Sequence, residues 1–86
     1  MANNNALVDA VWRKGKVVAT HNPDVHRKDD FGAWMQYDQY GDRSAQYGWE
    51  IDHIVPVDKG GSDDLSNLRP LHWQNNASKG STLLTR

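Results

Sequence analysis

The chain reads as an α+β protein of one small domain, and three features of its 86 residues carry that reading. The length is too short for two cores, because the fraction of surface a chain can bury falls with size. Residues 49–55, Trp-Glu-Ile-Asp-His-Ile-Val, alternate apolar and polar side chains with the period of a strand, placing Trp49, Ile51, His53 and Val55 on one face. A second short strand, Leu68-Arg-Pro-Leu-His72, runs into a segment from Trp73 to Lys79 that suits a helix, with Gly80 as its stop. The expected order is therefore strand, long loop, strand, helix, behind an N-terminal extension.

Each segment has its own reason. Residues 1–5 are polar and read as a frayed, disordered tail, leaving 6–86 as the single domain. Ala6 to Trp12 is apolar, Arg13 to Lys16 is basic, and Val17 to Ala19 is apolar again. Gly15 favours a turn between two short elements over one long helix. His21 to Asp30 is polar, contains Pro23, and reads as a loop, whereas Phe31 to Tyr37 has the aromatic flavour of a short strand. Tyr40 to Gly48 is rich in turn residues, with room for one helical turn. Pro56 ends the strand at 49–55 by removing a donor and keeping Val55 extended. Lys59 to Asp64 is a Gly-Gly loop, and Pro70 marks the second strand as an edge strand.

Composition narrows the function classes. Hydrophobic residues make up 37% of the chain, and four Trp, three Tyr and one Phe can supply much of a small core. Ten Lys and Arg against eleven Asp and Glu give a net charge of −1, which argues against a strongly basic wrapper of nucleic acid but allows a local basic groove. The absence of cysteine excludes disulfides and thiolate zinc sites. No apolar run approaches the roughly 20 residues of a membrane span. The polar start lacks the charged-then-apolar pattern of a signal peptide, so a cytoplasmic chain is expected.

The residues able to do chemistry cluster in the second half. Asp52 and His53 are adjacent: a carboxylate suits a hard cation, and a neutral imidazole can take a proton from water near pH 7. Taken alone, they read first as a solvated strand residue and a half-buried histidine, since adjacent Asp-His pairs are common. Adjacent strand side chains face opposite ways, so a shared site calls for a bend or bulge near Pro56 and Gly60-Gly61. Asn67 opens the second strand, and His72, Asn75 and Asn76 follow at its end. His72 and Asn76 are four apart and would share one face of a continuous helix. Arg69 and Lys79 flank this region as phosphate contacts or as solvated surface charge.

Taken together, Gly48 to Gly80 resembles the HNH endonuclease signature: an Asp-His dyad followed by Ile-x-Pro, a Gly-Gly loop, an Asn-Leu pair, and a helix bearing Asn before Lys. His53 and Asn67 are fourteen residues apart, and Asn67 and Asn76 nine. The match is strong over 47–80 and weak over about 12–46. It implies a ββα-metal core at about 47–82, a two-stranded antiparallel ribbon plus a helix around one divalent cation. By the same resemblance Asp52 and Asn76 are metal ligands, His53 is the general base, and Asn67 tethers the loop or the His53 backbone. Mg²⁺ or Mn²⁺ is the implied cation.

Many relatives carry zinc-binding cysteines at the positions of His72 and Asn75, paired with an upstream Cys-x-x-Cys. All four are absent, so no structural zinc is expected and stability falls to Trp12, Trp34, Trp49 and Trp73. His72 stays open between a third metal ligand, a phosphate contact and a packed remnant; coordination by it would favour Zn²⁺ or Ni²⁺. The implied function is metal-dependent cleavage or nicking of DNA with weak sequence selectivity. Arg69, Lys79 and Arg86 would meet phosphates, with Arg13, Lys14, Lys16, Arg27 and Lys28 as a second basic group. Double-strand cleavage would call for a homodimer or a second encounter, and a protein partner would supply targeting. The competing reading is a non-cutting nucleic-acid-binding or partner-binding module on the same fold. A toxin-type nuclease held by an immunity partner is a third, disfavoured by the modest charge and the missing secretion signal.

Overall fold

A computed structural model describes residues 5–79. Helix α1 (Asn5–Trp12) is followed by β1 (His26–Lys28), β2 (Trp34–Gln36), β3 (Trp49–His53), β4 (Leu68–His72) and α2 (Trp73–Lys79). Single 3-10 turns lie at Tyr37–Gln39, Val57–Lys59 and Leu65–Asn67. The strands form two antiparallel ribbons, β1 with β2 and β3 with β4. Ribbon β3–β4 followed by α2 is the ββα order that the resemblance implies, and the fold is α+β. Residues 1–4, Gly80 and Arg86 lie outside the described residues.

The core sits where α1 lies across the β3–β4 ribbon. Val8, Val11 and Trp12 of α1 fall at helical spacing and pack with Met35, Trp49 and Leu68; Tyr37 and Ile51 cover the edge. Trp12 anchors the cluster, with ring centroids 5.1 Å from Trp49 and 5.6 Å from Tyr37. Its indole N–H, which burial would leave unsatisfied, donates to the Pro23 carbonyl at 2.9 Å. The expected burden on four tryptophans therefore falls on two of them. Trp34 lies outside this core between His21 and the Lys28 ammonium, and Trp73 anchors the 42–48 turn by donating to Ala45 O.

Three local expectations change. His21 to Asp30 is not loop throughout: His26–Lys28 is a strand, although all three residues are polar. Its backbone pairs with Trp34–Gln36 on one side, and Lys28 bridges to Lys16 on the other. That ladder, rather than an apolar face, holds β1. The strand expected over 31–37 is confined to Trp34–Gln36, because Asp29 to Ala33 forms a turn with Gly32 at φ 86°. The bulge expected beside Asp52 and His53 is also missing: β3 pairs residue by residue with β4, from Trp49↔His72 to His53↔Leu68.

The junction of β4 and α2 is held by Asp29. This carboxylate is 1% exposed. Its Oδ1 accepts from the backbone N–H groups of Phe31 and Ala33, both at 2.9 Å. Its Oδ2 accepts from His72 N at 3.0 Å and from Asn75 Nδ2 at 2.9 Å. The end of β4 and the first turn of α2 are thus gripped by one carboxylate, through His72 and Asn75. Four donors compensate its desolvation, which a carboxylate buried without hydrogen bonds could not tolerate.

Candidate active site

Register decides which side chains meet. Asp52 lies directly opposite Arg69 in the ribbon, and α2 folds back so that Lys79 reaches the same carboxylate. Arg69 Nε donates to Asp52 Oδ2 at 2.9 Å, and Lys79 Nζ lies 3.0 Å from Asp52 Oδ1. Lys79 Nζ also donates to the His53 carbonyl at 3.1 Å. All three side chains are nearly fully buried. Arg69 continues to Asp30 at 3.3 Å and lies over the Phe31 ring, while its Nη2 has no hydrogen-bond partner among the described residues. Arg69 and Lys79, expected to be phosphate contacts or solvated charge, instead face inward onto Asp52. Lys79 still forms part of a cleft wall.

That cleft, about 550 Å³, is lined by Ile51, Asp52, His53, Pro56, Val57, Asp58, Asn76 and Lys79. It brings together Asp52, His53 and Asn76 without the expected bulge. Beyond the Tyr40 bridge at Trp49, no strand among the described residues pairs with the outer edge of β3, so one cleft along that edge reaches side chains of both faces.

His53 is held by a residue the sequence reading passed over. Its Nε2 lies 2.8 Å from Asp63 Oδ1, on the loop between the strands. A carboxylate only accepts, so Nε2 carries the proton of the neutral ring, and Nδ1 keeps the lone pair. Asn67 does not touch the ring. Its Oδ1 accepts from Val55 N at 2.9 Å, and its Nδ2 donates to Val55 O at 3.0 Å and Ser62 O at 2.8 Å. It therefore ties the loop to the strand end just after His53. Gly61 permits this clamp, since a Cβ there would stand 1.7 Å from the Val55 carbonyl oxygen.

Asn76 reaches the cleft from α2, and its Nδ2 donates to Glu50 Oε1 at 2.7 Å. Glu50 is gripped in turn by Arg43, whose Nε and Nη2 donate to Oε2 and Oε1 at 2.6 and 2.8 Å. The Arg43 guanidinium holds the Glu50 carboxyl below its usual range; burial opposes this and the Asn76 amide adds to it. His72 is not in the cleft. Its Nε2 donates to Gln46 O at 2.7 Å and its Nδ1 accepts from Gln74 N at 3.0 Å, so both ring nitrogens are engaged as a neutral, packed imidazole. Of its three readings, the packed one matches this geometry.

The second basic group is largely committed to the fold. Lys14 Nζ donates to the carbonyls of Leu65 and Leu68, and Arg27 donates to those of Pro23, Arg13 and Gly15. Lys16 sits 3.7 Å from Asp30. Lys14 thus ties the end of α1 to the start of β4, and Arg27 ties β1 to the segment after α1, each by satisfying backbone carbonyls. Asp29, Glu50 and Asp63 went unread in the sequence because their partners come from packing; only the hard, acceptor-only nature of a carboxylate was visible beforehand.

The donor set suits a hard divalent ion. The Asp52 carboxylate has a lone-pair site left on each oxygen after its two ion pairs, and Asn76, whose nitrogen is committed to Glu50, has its amide oxygen as the atom that could face a cation. Among the described residues no group of three or more His, Cys, Asp or Glu could hold a metal, so any ion here would keep several waters. No helix among these residues is long and apolar enough to cross a membrane.

A family model for HNH endonuclease matches residues 39–82. No curated protein and no solved structure matches the chain. The matched stretch is just over half of the 86 residues and contains β3, the Gly-Gly loop, β4 and α2, together with every residue that lines the cleft. The chain belongs to the HNH endonuclease family.

Proposed function

We propose that this protein is a metal-dependent DNA endonuclease or nickase, with His53 as general base and with Asp52 and Asn76 as the protein ligands of one Mg²⁺ or Mn²⁺. One observation carries the reading: a carboxylate, an imidazole and an amide, drawn from β3 and α2, line a single open cleft. Hydrolysis of a phosphodiester needs a deprotonated water and relief of negative charge on the phosphoryl oxygens. The cation supplies that relief when bound.

The chain's own residues do the rest. His53 Nδ1 receives the proton of the attacking water, while Asp63 holds the ring in the tautomer that leaves this lone pair available. Asn67 fixes the chain just after His53, which keeps the imidazole at one end of the cleft. Lys79, on the wall, adds positive charge beside the phosphate path. Asn67 and Arg69 act through the backbone and through Asp52 respectively, and His72 serves packing.

A plasmid-nicking assay with Mg²⁺, Mn²⁺ or EDTA tests the function. The wild type should convert supercoiled plasmid to open circle only with a divalent ion, and His53→Ala should slow this by about 10²–10⁴-fold, the range for a lost general base. Absence of nicking with either ion would overturn the enzyme reading. The competing reading, a non-cutting module, is favoured by the two cations that already compensate Asp52. A domain of that kind would bind DNA equally well with and without a divalent ion.

A further inference from the structure

Asn76 differs from the other proposed ligand in one respect. A carboxylate presents oxygen whichever way it turns, whereas an amide presents oxygen on one side and an N–H₂ that cannot bind a cation on the other. Something must therefore choose between two nearly isosteric orientations. Glu50 makes that choice, since its carboxylate accepts and never donates. The amide nitrogen, 2.7 Å from Glu50 Oε1, faces Glu50, and the reverse orientation would set oxygen against oxygen.

We propose that Glu50, anchored by Arg43, is a positioning residue that turns the Asn76 amide oxygen toward the cation cleft. Three observations converge on it. Glu50 and Asp52 are two apart on a regular strand and so share one of its faces. The two-pronged Arg43 grip fixes the Glu50 rotamer and loads its Oε1 with both Arg43 and Asn76. Glu50 is absent from the cleft lining, so its influence passes through Asn76. The chain Arg43–Glu50–Asn76 thus links the 42–48 turn, outside the cleft, to a ligand inside it.

This inference rests on Asn76 being a cation ligand, and the test separates the two claims. Mn²⁺ is titrated calorimetrically into the full chain as wild type, Asn76→Ala, Glu50→Ala, Glu50→Gln and the Glu50→Ala/Asn76→Ala double variant. Glu50→Ala should weaken Mn²⁺ binding about tenfold or more, as loss of a ligand's hydrogen-bond partner typically does. In the Asn76→Ala background the same change should matter by less than about twofold, since the residue it acts through is gone. Glu50→Gln, whose carbonyl can still accept from the amide, should restore most of the affinity. Should Glu50→Ala fail to fold, Arg43→Gln frees the carboxylate from its anchor and should weaken binding in the same direction. Equal losses from Glu50→Ala in both backgrounds, or none in either, would overturn the positioning role while leaving Asn76 a ligand. Wild-type affinity in Asn76→Ala would overturn the ligand assignment and this inference together.

Discussion

Asp29 and Asp52 are both nearly fully buried carboxylates in the same small protein, yet they are compensated in opposite ways. Asp29 is surrounded by four neutral N–H donors, from Phe31, Ala33, His72 and Asn75, which use it up as an anchor. Asp52 is faced by two cations, Arg69 and Lys79, at the wall of an open cleft. Neutral donors satisfy a carboxylate without creating a place for another ion. A lysine ammonium against a cleft-lining carboxylate marks a seat for positive charge, and an ammonium on a flexible stem can yield that seat. The Asp29 clasp is therefore closed to an added ion, whereas the Asp52 end, just as buried, also borders the cleft proposed to hold the cation.

The sharpest way to break this contrast is at Asp52 itself. Asp52→Ala would leave Arg69 and Lys79 buried without their shared carboxylate, and should cost about 3–5 kcal/mol of stability. Denaturant unfolding checks it; a loss below about 1 kcal/mol would mean the cations relax to solvent at no cost. Ligand loss and fold loss would therefore be mixed in Asp52→Ala, and Asn76→Ala is the cleaner probe of binding. Next in size, Asp29→Ala leaves four donors without their acceptor and should cost about 3 kcal/mol. In a domain of this size that lowers Tm by more than about 10 °C. Its Mn²⁺ affinity, measured well below the new Tm, should match the wild type, and a large change would merge the two ends the contrast separates.

Lys79→Met should change binding in the other direction. Removing the ammonium that contacts Asp52 Oδ1 should strengthen Mn²⁺ binding by about tenfold, equivalent to about 1.4 kcal/mol. Weaker binding would show that Lys79 assists the ion rather than competing with it. The smallest effect belongs to Asp63→Ala. Asp63 is 90% exposed and its bond to His53 is shared with water, so nicking should slow by about three- to fivefold, far less than with His53→Ala.

Much of the cleft end was legible in the sequence. The alternation of Trp49 to His53, the Gly-Gly loop, Leu68 to His72 and the following helix all follow from local rules of period and turn chemistry, and the structure lines one cleft with Asp52, His53 and Asn76. That Asp52, His53 and Asn76 belong together was implied by the family resemblance rather than by those local rules, and what was illegible depends on contacts distant in the chain. Asp29 meets His72 across 43 residues, and nothing local distinguishes it from Asp30 beside it. The burial of Arg69 follows only once the register pairs it with Asp52. Strand β1, polar at every position, carries no period to read and is held by ladder bonds and by the Arg27 contacts to distant carbonyls. Glu50 sits in plain view inside the motif, but its tie to Asn76 needs the helix to fold back over the ribbon.

The contrast between the two ends is tested most directly by Mn²⁺ titrated into the isotope-labelled protein while backbone and side-chain amide resonances are followed by NMR. Paramagnetic broadening should be strongest at Asp52, His53 and the Asn76 side chain, and weak at Asp29, His72 and Asn75. Broadening centred on the Asp29 clasp, or spread evenly over surface carboxylates, would contradict the account.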